Sequence, residues 1–464
     1  MHFASASLWP LILALFSFQL QRSCGCSTKD LFRSNWLHAL PPTVRAAVLP
    51  PAFGIRQSSR RANRLVPVPV RAAAATTTDG ITEQRYINIY FDSTNDCHRD
   101  RTYHPESPAR IDACVNKLRN EMDNTDGSGI GGSLRLFDVA DFPKSADGGT
   151  AAHGHRPFSS CELAHAQNML VLAHSEEYVH NIEDKCKACR QRRVEEGKDP
   201  LGFIGYVDNG GDTYLTTESY NVLLRAAAAW IRAVDDVLIS GGDPSGDSIA
   251  YSLALTRPPG HHATKNNANG FCVFNFAAAA AIHAIQSSGE SNRKVSILDF
   301  DVHYGQGVAD IMQSYDSCRY ASLHQYPAFP YLGSKRGIAG LHDNVLTVPL
   351  PPESSWTCGY KLPFEERILP FVYEINKWEP DLIIVCAGYD ALSSDELASC
   401  DLTAADYGRM MRLLREHLSR EIGPHVDLPR IMMGLEGGYQ LKDASAGGNL
   451  QEAMLETLAA LTKF

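Results

Sequence analysis

Ile297-Leu-Asp-Phe-Asp-Val-His303 is the stretch on which the reading of this 464-residue chain turns. Side chains alternate faces along a strand, so Asp299, Asp301 and His303 should point one way while Leu298, Phe300 and Val302 point the other. Two carboxylates and an imidazole would then converge at one strand end. Burying such a trio is costly unless a cation or hydrogen bonds compensate, so a metal site is the first expectation and a solvated strand end the plainer alternative.

Three further segments close strand-like runs with complementary groups. Asp381-Leu-Ile-Ile-Val-Cys386 is apolar on both faces, as a central parallel strand should be, and leads into Ala387-Gly-Tyr-Asp390. Asp390 offers a third ligand, and an Asp, His, Asp set leaves one position of a tetrahedral zinc open for water. Taken alone, Asp390 could equally cap the segment that follows. After Ile249–Leu255 comes Arg257-Pro-Pro-Gly-His-His-Ala263, a rigid turn that fixes His261 and His262. They could be ordinary loop histidines, but with Asp299 as partner a His–Asp dyad suits general-base chemistry. Pro429-Arg-Ile-Met-Met-Gly-Leu-Glu-Gly-Gly-Tyr439 ends on a phenol suited to donate to a developing oxyanion.

Strand signals near 85–91, 248–255, 294–301, 319–324, 344–350, 381–386 and 429–435 alternate with helical patterns near 161–190, 219–240, 275–287, 360–378, 403–420 and 446–463. That alternation predicts a three-layer α/β domain with a mostly parallel sheet and its ligands at the carboxyl ends of strands. The Gly/Ser/Asp-rich stretch 122–160 reads as a long insertion or loop. Neither an internal repeat nor a transmembrane span is evident.

In order along the chain, Arg257–Ala263, Asn269-Gly-Phe-Cys-Val-Phe-Asn275, Asp299–His303, Ala387–Asp390 and Leu435-Glu-Gly-Gly-Tyr439 resemble the signature blocks of the zinc-dependent histone deacetylase family. Tyr103-His-Pro-Glu-Ser-Pro-Ala-Arg110 and Leu172-Ala-His-Ser-Glu-Glu-Tyr-Val179 match its amino-terminal blocks. The likeness covers roughly 85–463, and the Arg-Pro-Pro-Gly opening is closest to class II, bacterial and plastid members. It implies an arginase/deacetylase-like fold and a hydrolase that removes acetyl or related acyl groups from protein lysines. By the same resemblance one zinc is bound by Asp301, His303 and Asp390, while His261 and His262, with Asp299, handle protons and Tyr439 polarises the amide carbonyl. Gly270, Phe271 and Phe329 would line an acyl-lysine channel, and Asp299, Asp301, His303, Ser322 and Leu323 would surround a structural potassium ion.

Three positions depart from the family pattern. Tyr304 replaces a second histidine, and Gln306 stands where class I carries Asp and many class II enzymes Asn. His262 should therefore lack a charged partner, and its pKa should be raised less than that of His261. Leu397 occupies the position where polyamine-specific members have Glu, which argues against an acetylpolyamine substrate. An arginase-like amidinohydrolase is a weaker alternative, because a two-metal site needs more bridging carboxylates than these segments supply. A dead acyl-lysine reader is disfavoured too, since neither a ligand nor the tyrosine is missing.

The amino terminus reads differently from the rest. Ser7–Phe18 is an apolar run too short to span a bilayer, and 31–78 contains seven Arg, no Lys and no acid. Residues 1–80 are therefore expected to be a presequence, signal-like then transit-like, with 81–464 as the catalytic domain. A plastid destination is the first expectation, and a mitochondrial or secretory one the alternative. Of 43 Lys/Arg and 53 Asp/Glu, the first eighty residues hold nine and two, leaving a formal net charge of −17 on the remainder. Such a surface repels nucleic acid and mildly favours basic, lysine-bearing segments of an acetylated protein or peptide substrate, a solvated acidic surface being the simpler reading. Cys186-Lys-Ala-Cys189 is a lone Cys-x-x-Cys, for which free thiols are the plain reading and redox or zinc chemistry the other.

Overall fold

A computed structural model of the chain describes residues 85–124, 129–140, 153–239, 248–287, 293–422, 429–442 and 447–462. The expected presequence, 1–80, lies outside them. The strands are β1 (Arg85–Phe91), β2 (Leu134–Asp138), β3 (His153–His155), β4 (Phe203–Tyr206), β5 (Tyr214–Thr216), β6 (Ser248–Leu255), β7 (Val295–Asp299), β8 (Cys318–Gln325), β9 (Gly337–Ala339), β10 (Val345–Leu350), β11 (Leu382–Ala387) and β12 (Arg430–Leu435). Ten of them form one sheet in the order β3-β2-β1-β6-β12-β11-β7-β8-β10-β9, while β4 and β5 make a separate hairpin. Every pairing in the large sheet is parallel except β9 with β10.

Apolar runs without polar alternation produce strands buried on both faces, and here successive residues feed opposite layers. Leu298, Ile383, Val385 and Met433 join one core cluster, and Ile297, Ile384, Cys386 and Met432 the other. The first cluster is closed by α1 (Ala109–Asp123), α7 (Ala404–Ile422) and α8 (Leu450–Thr462). The second is closed by α2 (Ser160–Ala173), α3 (Glu176–Glu195), α4 (Ser219–Ile239) and α5 (Phe276–Gln286). A short α6 (Gln306–Met312) follows β7. Against α4 the sheet comes very close: a Cβ at Gly434 would meet the Trp230 ring at 2.0 Å. The same indole donates to Thr256 Oγ1 at 3.1 Å.

Several expectations need correction. The stretch 122–160 is not all loop, because β2 pairs in parallel with β1 from Ile87↔Leu134 to Phe91↔Asp138 and β3 continues the edge. One helix over 161–190 is in fact two, since His174 ends α2 and the Ser175 hydroxyl accepts the Tyr178 N–H to start α3. The pattern at 360–378 becomes a broken helical stretch over 356–372, interrupted at Cys358 and Gly359. Finally, β7 stops at Asp299, so Asp301 and His303 lie beyond the strand rather than on it.

Candidate active site

Sheet register sets the site. Asp299 lies beside Cys386 and Ser322, Cys386 beside Gly434, and Gly434 beside Ala254. The chain leaving each strand beyond this row carries the proposed chemistry, all at one edge because the strands are parallel. Asp301, His303 and Asp390 meet there with ligand atoms within 4.8 Å of one another. His303 Nδ1 stands 3.3 Å from Asp301 Oδ1 and 3.0 Å from Asp390 Oδ2. The outward oxygens are held by backbone, Asp301 Oδ2 by the Gly437 N–H at 2.8 Å and Asp390 Oδ1 by the Val302 N–H at 2.9 Å. Asp390 is thus no helix cap, and the trio is fully inside rather than solvated.

A metal fits this donor set. Two carboxylates and one ring nitrogen face a common point, and a single Nδ1–H cannot serve both oxygens. Burial disfavours the His303 imidazolium, yet Asp390 and Asp301 raise its pKa well above the usual histidine value, so the spot calls for positive charge. Oxygen–nitrogen–oxygen ligation suits zinc. A second buried group, His261, Cys272 and Glu436, also converges. Its atoms are only partly engaged, and Glu436 Oε1 has no hydrogen-bond partner among the described residues. Glu436 Oε2 accepts the Gly260 and His261 N–H groups, and the Cys272 thiol, pushed well up by burial, donates to the Gly270 carbonyl.

The paired histidines face different partners. His261 Nδ1 is 3.1 Å from Asp299 Oδ2, which also accepts the Tyr320 hydroxyl at 2.8 Å. Burial works against its charge, but Asp301 and Asp299 outweigh that and lift the pKa to about 10. His262 Nδ1 is 2.7 Å from Gln306 Oε1, and Gln306 Nε2 donates to the His262 carbonyl at 3.1 Å. That second bond fixes the amide, so its oxygen faces the ring and Nδ1 carries the proton, which leaves Nε2 as an acceptor. Burial, then the charges of His261 and His303, hold His262 well below the usual value.

A channel wall stands over this floor. The Phe329 ring lies edge-on to His262 at 4.9 Å, and Phe271 edge-on to Tyr439 at 5.6 Å. Gly270, at φ +50°, must lack a side chain, since a Cβ would meet Phe329 at 2.6 Å and His262 at 2.7 Å. Tyr439 has the Arg110 guanidinium 4.7 Å over its ring, and burial keeps the phenol protonated and able to donate. Leu397 is 37% exposed. Ser322 and Leu323 sit on β8 alongside Asp299, and Tyr304 is buried against His324 with ring centroids 4.8 Å apart.

Sequence reasoning assigned no role to the residues that brace these groups. Fully buried Arg257 makes a two-pronged contact with Glu106, whose carboxyl, despite burial, is held down at about 2 by that guanidinium. Arg110 donates to the Gly438 carbonyl at 2.7 Å and to that of Glu436. The His174 ring bonds the Thr264 carbonyl and the Asn275 N–H. The amino-terminal blocks 103–110 and 172–179 therefore bracket the loops that hold the site. By contrast Cys186 is buried and its thiol pushed up to about 11, opposite to what redox or metal chemistry needs.

An α/β architecture with buried acid, imidazole and phenol groups gathered beyond parallel strand ends defines a class of hydrolases. Comparison with known proteins narrows it. The histone deacetylase domain model matches residues 104–452. An uncharacterised protein of Synechocystis, slr0245, is 32% identical over 364 residues, 78% of this chain and 95% of its own. Histone deacetylase 14, chloroplastic, of Arabidopsis thaliana is 31% identical over 345 residues, 74% of this chain and 70% of its own. The crystal structure of an HDA15 HD domain superposes with a TM-score of 0.60 at 24% identity, covering 82% of this chain and 90% of that one, which supports the fold. The chain belongs to the histone deacetylase family.

Proposed function

We propose that this deacetylase removes acetyl or related short acyl groups from lysine side chains of proteins, with one zinc held by Asp301, His303 and Asp390. The observation that carries it is the convergence of those three ligand atoms beneath an aromatic passage formed by Phe271 and Phe329. Bound there, zinc would supply Lewis acidity to the amide carbonyl and lower the pKa of the attacking water. His262 Nε2, free of a donor partner and neutral, takes a proton from the water. His261, hydrogen-bonded to the Asp299 carboxylate, stabilises the negative charge that develops. Tyr439 donates its O–H to the carbonyl oxygen. Asp299, Asp301, His303, Ser322 and Leu323 would hold a potassium ion.

Leu397 weighs against small acetylated polyamines, and the second buried group, with one carboxylate and a Cys272 thiol that donates to the Gly270 carbonyl, weighs against the bridging carboxylates of a two-metal amidinohydrolase. Residues 1–80 form a presequence that directs the enzyme to a plastid. Supporting this are the Arg-rich, acid-poor composition and the word chloroplastic in the names of relatives from Arabidopsis and rice. Among the described residues no helix is long and apolar enough to cross a membrane. The test combines metal analysis with turnover of acetyl-lysine peptides and acetylated polyamines. The expected result is one zinc per chain and peptide turnover that a chelator removes and zinc restores. Two metals per chain, or turnover of acetylpolyamines alone, would sink the reading.

A further inference from the structure

We propose that Asp395 is the positioning residue of Tyr439, fixing the carbonyl's hydrogen-bond donor and the Leu397 backbone to one point. Asp395 lies on the chain leaving β11, five residues beyond Asp390, and is 7% exposed. Its Oδ2 accepts the N–H of Tyr439 at 2.7 Å and of Gln440 at 3.2 Å. Its Oδ1 accepts the N–H of Leu397 at 3.0 Å. β12 has ended at Leu435, and at 439–440 the backbone is held instead by this carboxylate on its N–H groups and by the Leu450 N–H, which donates to the Gln440 carbonyl at 2.8 Å. The Tyr439 ring is gripped on its face by Arg110 and at its edge by Phe271. Those contacts restrain the ring, while Asp395 holds the backbone from which it swings.

The chemistry of the partners explains why an acid stands here. All three are N–H donors, and only a carboxylate presents acceptors on both oxygens. An amide would turn its NH2 towards one of them. Misplacement of a catalytic donor by about 1 Å can cost on the order of 100-fold in rate, so a backbone clamp on the donor has kinetic weight.

The proposal rests on Tyr439 acting as donor, and the test separates the two ideas. kcat and KM on an acetyl-lysine peptide are measured for D395A, D395N, Y439F and the two double variants, alongside zinc content and circular dichroism. Y439F should lower kcat by about 100- to 1,000-fold. D395A should lower kcat by about 10- to 100-fold with zinc retained, and D395N by less. In the Y439F background both losses should shrink to within about twofold, because a clamp on an absent hydroxyl has little left to do. A normal Y439F loss together with an Asp395 factor that is the same in both backgrounds, or with none at all, would overturn the positioning role alone. Full kcat in Y439F would remove the donor and this proposal with it. Should D395A fail to fold, the same comparison is read from isosteric D395N.

Discussion

His261 and His262 are consecutive, with ring centroids 4.0 Å apart, yet one faces a carboxylate and the other an amide. Asp301 and Asp299 lift the first ring's pKa to about 10 against the pull of burial, whereas at the second ring, beside Gln306, burial and the neighbouring imidazoles hold it well below its usual value. The difference teaches that a base and a cation can be made from two identical side chains by the charges and hydrogen-bond partners set around each. Nothing in the local turn distinguishes them. Their roles are written 38 and 44 residues further along the chain.

The largest effect should come from removing what both histidines serve. His303→Ala or Asp301→Ala should abolish metal retention and turnover while the circular dichroism of the sheet persists. One tightly held metal with normal turnover would break the scheme. Next, the partners themselves can be compared. Asp299→Ala should cost about 100- to 1,000-fold in kcat and Gln306→Ala about tenfold, since only the first strips a charge from its dyad. Equal losses would erase the distinction drawn between the rings.

Gly270→Ala probes the His262 side alone. The new methyl must displace Phe329 or the His262 ring at a backbone position hostile to side chains, so kcat/KM should fall by about tenfold without loss of metal. Unchanged kinetics would show that the wall is loose. The smallest effect sharpens the comparison most. In Gln306→Asp a carboxylate would stabilise the His262 imidazolium, so its pKa must rise and the matching limb of the pH–rate profile move to higher pH by about one unit. Neither limb moving in a folded, zinc-loaded variant would mean that Gln306 only braces the loop.

Much of this arrangement was legible because central parallel strands are continuous apolar runs and their ends carry the chemistry. β7, β11 and β12 fall within a residue or two of expectation at their starts, and Asp301, His303 and Asp390 meet as the spacing implied. The sheet edge was not legible. Leu134–Asp138 is five residues with a half-exposed face amid turn-forming sequence, so its pairing with β1 leaves little periodicity to detect. Ser175-Glu-Glu did carry a capping signal, which the charged helical pattern on either side obscured. The braces were hidden for another reason: Arg110 reaches carbonyls 326 and 328 residues away, and backbone acceptors leave no mark in a sequence.

Trp230 gives the helical layer a mechanical part in chemistry that it never touches. One indole abuts β12 at Gly434, five residues before the phenol, and hydrogen-bonds Thr256, five residues before the first catalytic ring. The two strands that deliver Tyr439 and the histidine pair are therefore indexed to a shared stop on the far side of the sheet. A methyl group there would act as a shim, sliding one delivery arm relative to the other while every polar contact in the site kept its chemical identity.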